Sequence, residues 1–219
     1  MDRSRRSPAG PRKATIRSAS ASDTRLAERR LSRDAIERER LLVEQARQGE
    51  ESAIEALYRQ YYDRVYRYAF YRLGSQSAAE DVASQVFLAM VRGLPQFEWQ
   101  GRPFVAWLFA IAQKQVAYHL RRRGRVDSVM LDESLGLVAD TTGPEAGAEE
   151  REQRAALAAA LAHLPDTQRE VIIMRYILSL SLAETAAALD RSEGAVKQLQ
   201  LRGLAGLRGL LASDAGVLW

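Results

Sequence analysis

The sequence predicts an all-α protein with two small helical domains joined by a flexible acidic linker. Apolar residues recur at helical spacing through most of residues 50–212. Helix-start signals of the form Ser-x-x-Glu recur at Ser52, Ser77 and Ser181. Between the two periodic stretches, residues 125–150 are acidic and contain a Thr-Thr-Gly-Pro break. The predicted organisation is therefore a disordered or partly helical basic extension (1–49), a first helical domain (50–124), a linker (125–150) and a second helical domain (151–213).

The composition excludes several classes of protein. The chain has 219 residues, a net charge of +4, no cysteine and two histidines, His119 and His163. Disulfides and thiolate metal sites are thereby excluded, and histidine-based metal or triad chemistry is disfavoured. No apolar run approaches the roughly 20 residues that a membrane span needs. The basic amino terminus is not followed by the apolar segment of a secretory signal, so we expect a cytoplasmic protein without membrane insertion.

The first two helices of the first domain each have an apolar face and a distinctive second face. Along the first helix, an aromatic surface is interleaved with arginines and carries Tyr58, Tyr62, Tyr66 and Tyr71. The next helix buries an apolar face that includes Val86 and Val91. Its outer stripe follows the spacing 4, 3, 4 that a coiled-coil seam uses: Asp81, Gln85, Leu88 and Arg92. An ordinary solvated face with one exposed leucine is the alternative interpretation.

The helix from Gly101 to Arg125 is the central element of this domain. At 100° per residue, one face is apolar and predicts core: Phe104, Val105, Leu108, Ile111, Ala112 and Val116. The opposite face is small and flat around Ala106 and Gln113, and Trp107, Lys114 and Arg121 lie on one stripe at i, i+7 and i+14. Cations that follow phosphates beside an aromatic ring that stacks on bases suit single-stranded or melted nucleic acid. The alternative is that Trp107 belongs to the core and both cations are solvated. We expect the helix to end in a basic turn before Gly124.

The second domain has the pattern of a helix-turn-helix. A short helix opened by Ser181 is followed by a turn at Asp190-Arg191 and by a last helix that Ser192 caps. The inner face of the last helix is apolar and its outer face is polar and basic. Lys197, Gln198 and Leu201 are predicted to meet base edges, and Arg202 and Arg208 to meet phosphates.

The sequence gives less support to functions other than nucleic-acid binding. No nucleophile–base pair, phosphate-binding glycine loop or cluster of metal ligands is visible, so no catalytic residue, metal or cofactor is predicted. A stand-alone helix-turn-helix regulator, with an amino-terminal sensing or dimerisation domain, remains an alternative. That alternative predicts specific DNA binding without any polymerase.

Both halves resemble the extracytoplasmic-function (group IV) sigma factors of bacterial RNA polymerase. The motifs ALYRQYYDRVYRYAFYRLG, AEDVASQVFLAMVRGLPQF and WQGRPFVAWLFAIAQ resemble sigma region 2, and the segment from LPDTQREVIIMRYI to LQLRGLAGLR resembles sigma region 4. The phrase FEWQGRPFVAWL is similar to an actinobacterial developmental subgroup. The larger sigma regions 1.1 and 3 have no counterpart in this sequence.

The resemblance implies partners and residue roles. The partners would be core RNA polymerase, promoter DNA and an anti-sigma factor, with action in the cytoplasm at the nucleoid. Polymerase contacts would be made to the clamp helices of the largest subunit, through Asp81, Gln85, Leu88 and Arg92, and to the flap of the second largest subunit. Capture of the melting −10 element would use Trp99, Arg102, Phe104, Trp107, Gln113, Lys114 and Arg121. Recognition of the −35 element would use Ser192, Lys197, Gln198, Leu201, Arg202 and Arg208. The acidic linker would run through the active-site cleft and the RNA exit channel.

Four positions depart from the family pattern. The family usually has Asn at Lys114, Asp at Tyr118, Gly at Asp190 and Arg at Leu199. These departures affect the expected promoter preference and leave the expected fold unchanged.

Overall fold

The computed structural model describes residues 35–99, 101–129 and 148–215. The described chain is helical and contains no strand. Helix α1 covers residues 35–47 and is followed by α2 (Glu51–Leu73), α3 (Gln76–Gly93), a 3-10 turn (Leu94–Gln96) and α4 (Phe104–Val129). The second half contains α5 (Ala148–Ala162), α6 (Asp166–Ile172), a π turn (Ile173–Ile177), α7 (Leu182–Ala188) and α8 (Glu193–Ala215). Residues 1–34 of the predicted basic extension and residues 130–147 of the predicted linker lie outside the described residues.

Helices α2, α3 and α4 form the first core, as their amphipathic patterns predict. The predicted core positions Leu57 and Val65 of α2 and Val86 of α3 are each 0% exposed. Val43 and Ala46 of α1 are buried in the same core. Within the extension that was predicted to be disordered or partly helical (1–49), residues 35–47 are thus a helix whose apolar side joins the core.

A glycine ends α2, whereas two of the predicted capping boxes do not form. Gly74 adopts φ +67° and its N–H donates to the carbonyl of Phe70 at 2.8 Å, which ends the helix. The box at Ser52 is wrong, since α2 begins after Glu50 and has no side-chain cap. The box at Ser77 is wrong by two residues, because Ser75 accepts from the N–H of Ala78.

Helix α4 runs beyond its predicted end. It continues through Gly124 to Val129, because one glycine costs a long helix only about 1 kcal/mol. Its predicted core face is correct at Phe104, Leu108 and Val116. Ala106, which we predicted on the flat outer face, is buried at 3% exposure.

The second half folds as a helix-turn-helix unit. Val171 of α6, Ala186 of α7 and Val196 of α8 form a small apolar cluster of their own. Tyr176, in the π turn among buried apolar residues, is 52% exposed. The larger apolar cluster of the molecule is continuous and includes residues of both halves, among them Phe109 and Leu180.

A close approach between α6 and α8 requires a glycine. A Cβ at Gly203 would lie 2.8 Å from Cγ1 of Ile172, whereas a Cβ at Gly209 would meet nothing within 4 Å. We therefore expect Gly203→Ala to lower the free energy of unfolding by about 1 kcal/mol, since overpacking exceeds the gain in helix propensity. Gly209→Ala on the same helix should raise it by roughly 0.5–1 kcal/mol. Urea unfolding of both variants tests this, and equal effects would contradict the predicted clash.

Candidate nucleic-acid and protein interfaces

Both helices of the helix-turn-helix, α7 and α8, begin at a serine whose side chain caps the first turn. The predicted capping box at Ser181 is confirmed: the N–H of Glu184 donates to Ser181 Oγ at 3.1 Å, and the N–H of Ser181 donates to the Glu184 carboxylate at 2.7 Å. Ser192 Oγ accepts from the N–H of Ala195 at 3.2 Å. Asp190 between them adopts φ +50°, the left-handed conformation that aspartate tolerates better than most residues. This explains how the turn forms where the family usually has glycine.

The outer face of α8 has the exposure that DNA readout requires. Its residues Lys197, Gln198, Arg202 and Arg208 are exposed, and Leu201 is 62% exposed. Val196 on the opposite side is 0% exposed. The predicted division of this helix into an inner and an outer face is therefore confirmed, although the roles of the individual residues stay predictions.

Two side-chain hydrogen bonds that the sequence pattern does not predict hold α8 in place. The Arg175 guanidinium donates to the Gln200 side-chain oxygen at 3.3 Å, and the Gln200 amide donates to the hydroxyl of Tyr176 at 2.9 Å. These contacts join α8 to the π turn. The pairing spans 24 residues or more and leaves no periodic signal in the sequence.

The outer stripe of α3 lies on the surface. All four of its residues, Asp81, Gln85, Leu88 and Arg92, are exposed. Leu88 is 49% exposed, and Val91, predicted to be buried, is 42% exposed. Together with Tyr58 on α2, also 42% exposed, they give this side of the molecule more apolar surface than the stripe alone predicts. Exposed apolar side chains with charges around them are typical of protein interfaces.

An aromatic cluster lies at the amino-terminal end of α4. The Phe97 ring centroid lies 4.9 Å from that of Trp107, 5.6 Å from that of Phe104 and 6.2 Å from that of Trp99. The prediction that Phe104 faces DNA is wrong, because its side chain is 0% exposed and is enclosed by this cluster. Trp99 and Trp107 are each only half-buried, and so retain surface for a ligand. Gly93 lets the indole lie against α3, since a Cβ there would be 3.0 Å from Trp107.

The rest of α4 presents cations and one aromatic ring. Lys114 and Arg121 are exposed as predicted, and Tyr118 between them is 59% exposed. Gln113 is half-buried, and its amide donates to the carbonyl of Ala188 at 2.9 Å. Helix α4 therefore carries four of the residues predicted to contact the −10 element that are not fully buried: Trp107, Gln113, Lys114 and Arg121.

Two buried tyrosines of α2 have strongly perturbed acidity. Burial, together with the nearby Glu170 carboxylate, raises the pKa of Tyr68 well above its ordinary value of 10.0. The Tyr68 hydroxyl donates to that carboxylate at 3.0 Å. Burial and the neighbouring Glu39, whose carboxylate accepts a hydrogen bond from the Tyr61 hydroxyl, raise the pKa of Tyr61 as well. Both tyrosines remain protonated in the folded protein at a pH where the unfolded chain begins to ionise.

We expect this protein to lose stability in alkaline solution. Below the ordinary tyrosine pKa of 10.0, both states keep the protons and stability does not depend on them. As the pH rises further, only the unfolded state loses them, so each tyrosine lowers the free energy of unfolding by up to about 1.4 kcal/mol per pH unit. Tyr68→Phe should reduce this slope, because it removes one of the two buried hydroxyls. Urea unfolding between pH 8 and about pH 11 measures the slope for the unmodified chain and the variant, and an unchanged slope in the variant would contradict the assignment.

The described residues show few signs of other sites. Within residues 35–99, 101–129 and 148–215, no three His, Asp or Glu side chains come together as metal ligands. None of the described helices is long and apolar enough to cross a membrane.

Comparison with protein families gives two matches in chain order. Residues 57–126 match the model of Sigma-70 region 2, and residues 154–207 match that of Sigma-70 region 4. The sequence is 41% identical over 174 residues to the ECF RNA polymerase sigma factor BldN of Streptomyces coelicolor, covering 80% of this chain and 66% of BldN. It is 35% identical over 171 residues to the ECF RNA polymerase sigma factor SigD of Mycobacterium tuberculosis, covering 76% of this chain and 81% of SigD.

Two solved structures share the fold of this chain. CnrH, solved in complex with the cytosolic domain of CnrY, is 28% identical and superposes with a TM-score of 0.62, covering 80% of this chain and 98% of CnrH. RpoE of Bartonella quintana, solved with the anti-sigma factor NepR, shares the fold at 23% identity and a TM-score of 0.58, over 73% of this chain and 97% of RpoE.

Proposed function

The chain belongs to the extracytoplasmic-function sigma factors of RNA polymerase, and we propose that it directs core polymerase to promoters through three separate surfaces. The observation that supports this proposal is that each of the three predicted surfaces presents exposed residues on one helical scaffold. They are the whole α3 stripe, Lys114 and Arg121 on α4, and the outer face of α8. The stand-alone regulator is not favoured, because the family matches include region 2 as well as the helix-turn-helix.

The first surface binds the polymerase. The α3 stripe, Asp81, Gln85, Leu88 and Arg92, docks on the clamp helices of the largest subunit, and the second half of the chain reaches the flap of the second largest subunit. A leucine framed by charged residues suits this docking, because the leucine supplies buried apolar area and the charges fix the register.

The second surface captures the −10 element as it melts. We define the −10 surface as Trp99, Arg102, Trp107, Gln113, Lys114 and Arg121. The half-buried indoles are held rigidly by Phe97, so that stacking on an unpaired base costs little side-chain entropy. Lys114 and Arg121 follow the phosphates. Lys114 adds a charge where the family usually has asparagine.

The third surface reads the −35 element. Ser192 caps α8 and points its amino-terminal turn at the major groove, where Lys197, Gln198 and Leu201 meet base edges. Arg202 and Arg208 bind phosphates. Leu201, at 62% exposure, suits contact with a thymine methyl group.

The remaining assignments follow from this role. We assign the chemistry of RNA synthesis to the core enzyme and no catalytic residue, metal or cofactor to this chain. We propose that it acts in the cytoplasm, at the nucleoid when bound to polymerase. An anti-sigma factor is its proposed inhibitory partner, as the family implies.

Selection of promoter fragments tests the proposal. A library of genomic fragments is incubated with bacterial core polymerase, with this chain, or with both, and bound DNA is sequenced. We expect a two-part motif to be enriched only in the mixture. Enrichment by the chain alone, with no complex with core on gel filtration, would support the stand-alone regulator instead.

The −35 assignment makes a separate prediction. Lys197→Ala should weaken holoenzyme binding to the selected promoter by roughly 5- to 150-fold, since one specific base contact contributes about 1–3 kcal/mol. On a promoter in which the contacted base pair is changed, the unmodified protein should already bind weakly, and Lys197→Ala should weaken holoenzyme binding little further. An equal loss on every promoter would assign Lys197 to phosphate contact instead.

A further inference from the structure

The most exposed aromatic side chain that the structure describes lies on α4 and has no role in the surfaces proposed above. Tyr118 is 59% exposed, compared with 52% for Tyr176 and 42% for Tyr58. Within the described part of the chain, its hydroxyl has no hydrogen-bond partner and its ring packs against no other aromatic ring. The fold therefore leaves both the ring and the hydroxyl available to a ligand.

Tyr118 lies on the same stripe of α4 as three residues of the −10 surface. Helix α4 is continuous over Phe104–Val129, and each residue advances about 100° around the helix axis. On that count, Tyr118 is displaced by about 20° from Trp107, with Lys114 about 20° and Arg121 about 40° to the other side. Lys114 lies one turn before Tyr118 and Arg121 nearly one turn after it, so both cations are its neighbours on the helix surface.

The surface around Tyr118 is positively charged. Lys114 and Arg121 are exposed, and neither forms an ion pair with an acidic residue among those that the structure describes. The family usually has asparagine and aspartate where this chain has Lys114 and Tyr118, so each exchange makes the stripe more positive by one unit of charge. An aspartate between two cations would partly neutralise them and repel phosphates, whereas a tyrosine does neither. The stripe therefore suits an anionic ligand.

A ring flanked by two cations matches single-stranded DNA better than other anionic ligands. The flat face of an unpaired base can stack on the ring while the phosphates on either side of it reach the cations. Paired bases of a duplex stack on each other and present only their edges in the grooves. An acidic peptide would satisfy the cations but would leave the ring without a stacking partner. The melted strand of the promoter is therefore the occupant that uses all three side chains.

We propose that Tyr118 is a second stacking position of the −10 surface, binding an unpaired promoter base while Lys114 and Arg121 bind the adjacent phosphates. The inference rests on the proposed sigma function. Trp107 and Tyr118 lie about 16 Å apart along the helix axis, whereas stacked bases are about 3.4 Å apart. The two rings therefore contact different, non-adjacent bases, and the second ring extends the captured single strand toward the carboxyl-terminal half of α4.

Binding of the holoenzyme to two DNA fragments tests the proposal. The first is a fluorescent fork built from the selected promoter, with its −10 element unpaired, and the second is a duplex that contains only the −35 element. Tyr118→Ala should weaken binding of the fork by roughly 5- to 150-fold, as the loss of one base–aromatic stack does. Binding of the −35 duplex should not change. Equal binding of the fork by the variant and the unmodified protein would overturn the proposal.

Two further substitutions at position 118 separate stacking from other effects. Tyr118→Phe keeps the ring, so it should bind the fork within about twofold of the unmodified protein. Tyr118→Asp removes the ring and places a negative charge beside the phosphates, so it should bind the fork more weakly than Tyr118→Ala. A loss in Tyr118→Phe as large as that in Tyr118→Ala would assign the contact to the hydroxyl. Equal binding by the aspartate and alanine variants would place position 118 away from the phosphates. Either result would overturn the proposal.

Leu120→Ala is the matched control on the same helix. Leu120 is 39% exposed but lies about 200° around α4 from Tyr118, so its removal should leave fork binding unchanged. Urea unfolding should show that all the variants fold, because both side chains are exposed. A loss in Leu120→Ala as large as that in Tyr118→Ala would show that the effect comes from the stability of α4, and would overturn the contact at Tyr118.

The sigma function is measured in the same preparations. Core-dependent initiation by the unmodified chain, together with normal fork binding by Tyr118→Ala, would remove the Tyr118 contact and leave the sigma role intact. Failure of the unmodified chain to bind core polymerase would remove the sigma role and, with it, the proposed role of Tyr118.

Discussion

Replacing Leu88 with aspartate should weaken binding to core polymerase at least about tenfold, because burying an unpaired carboxylate in an interface costs more than the roughly 1.4 kcal/mol that this factor represents. The side chain is 49% exposed in the free protein, so the fold should not depend on it. Val91 on α3 and Tyr58 on α2 provide further exposed apolar surface. An aspartate at position 88 should reduce the apolar surface available to the polymerase. Titration of labelled core polymerase measures the change in Kd.

A leucine of similar exposure provides the control. Leu41 on α1 is 58% exposed and lies outside the α3 stripe, so Leu41→Asp should bind core polymerase as the unmodified chain does. Urea unfolding should give closely similar stabilities for both variants. Equal loss of polymerase binding in the two variants would show that added negative charge, and not the α3 stripe, determines the affinity.

Replacing Trp107 with alanine should impair promoter opening far more than polymerase binding. Stacking of a base on an aromatic side chain contributes about 1–3 kcal/mol, so the fraction of open complex should fall by roughly 5- to 150-fold. Permanganate reactivity of unpaired thymines at the −10 element measures opening, and gel filtration with core polymerase measures binding. Normal permanganate reactivity in the variant would contradict the assignment of Trp107 to melting.

Trp107 also packs inside the protein, so its removal affects folding as well. Its ring centroid lies 4.9 Å from that of Phe97 and 5.4 Å from that of Phe104. Phe104→Leu controls for this, because Phe104 is fully buried and the variant loses packing in the same cluster without removing a surface ring. If Phe104→Leu impairs opening as strongly as Trp107→Ala, the effect comes from the cluster's stability.

The features that were predictable from sequence are local ones. The two faces of α8 and the core face of α4 follow from a period of 3.6 residues, and each apolar set is large enough to determine which side is buried. The capping box at Ser181 is confirmed because Ser181 and Glu184 satisfy each other's backbone donors. At Ser52 the same motif does not cap, since the N-cap residue of α2 is Glu50, two residues earlier.

Residues with both polar and apolar character were assigned less well. Phe104 was assigned to both the core and the DNA surface, and its complete burial rules out the second role. Tyr71 was predicted on the surface and is only 7% exposed, whereas Tyr176 lies in an apolar segment and is 52% exposed. A tyrosine satisfies either environment, because its ring is apolar and its hydroxyl finds a partner in both.

The contacts between the two halves could not be read from the sequence. Arg64 and Leu178 are 114 residues apart, and no periodic pattern links positions at that separation. An arginine on an aromatic-rich helix predicts solvent or nucleic acid as readily as a buried carbonyl. Only the packing of α2 and α4 against the helix-turn-helix distinguishes these roles.

The most direct test of the sigma function is abortive initiation by bacterial core polymerase on a promoter fragment, with and without this chain. The sigma role predicts short RNA products that appear only when both proteins are present, start at one position and disappear when either promoter element is scrambled. Equal product formation by core polymerase alone, or no product from any fragment despite a stable complex, would contradict it.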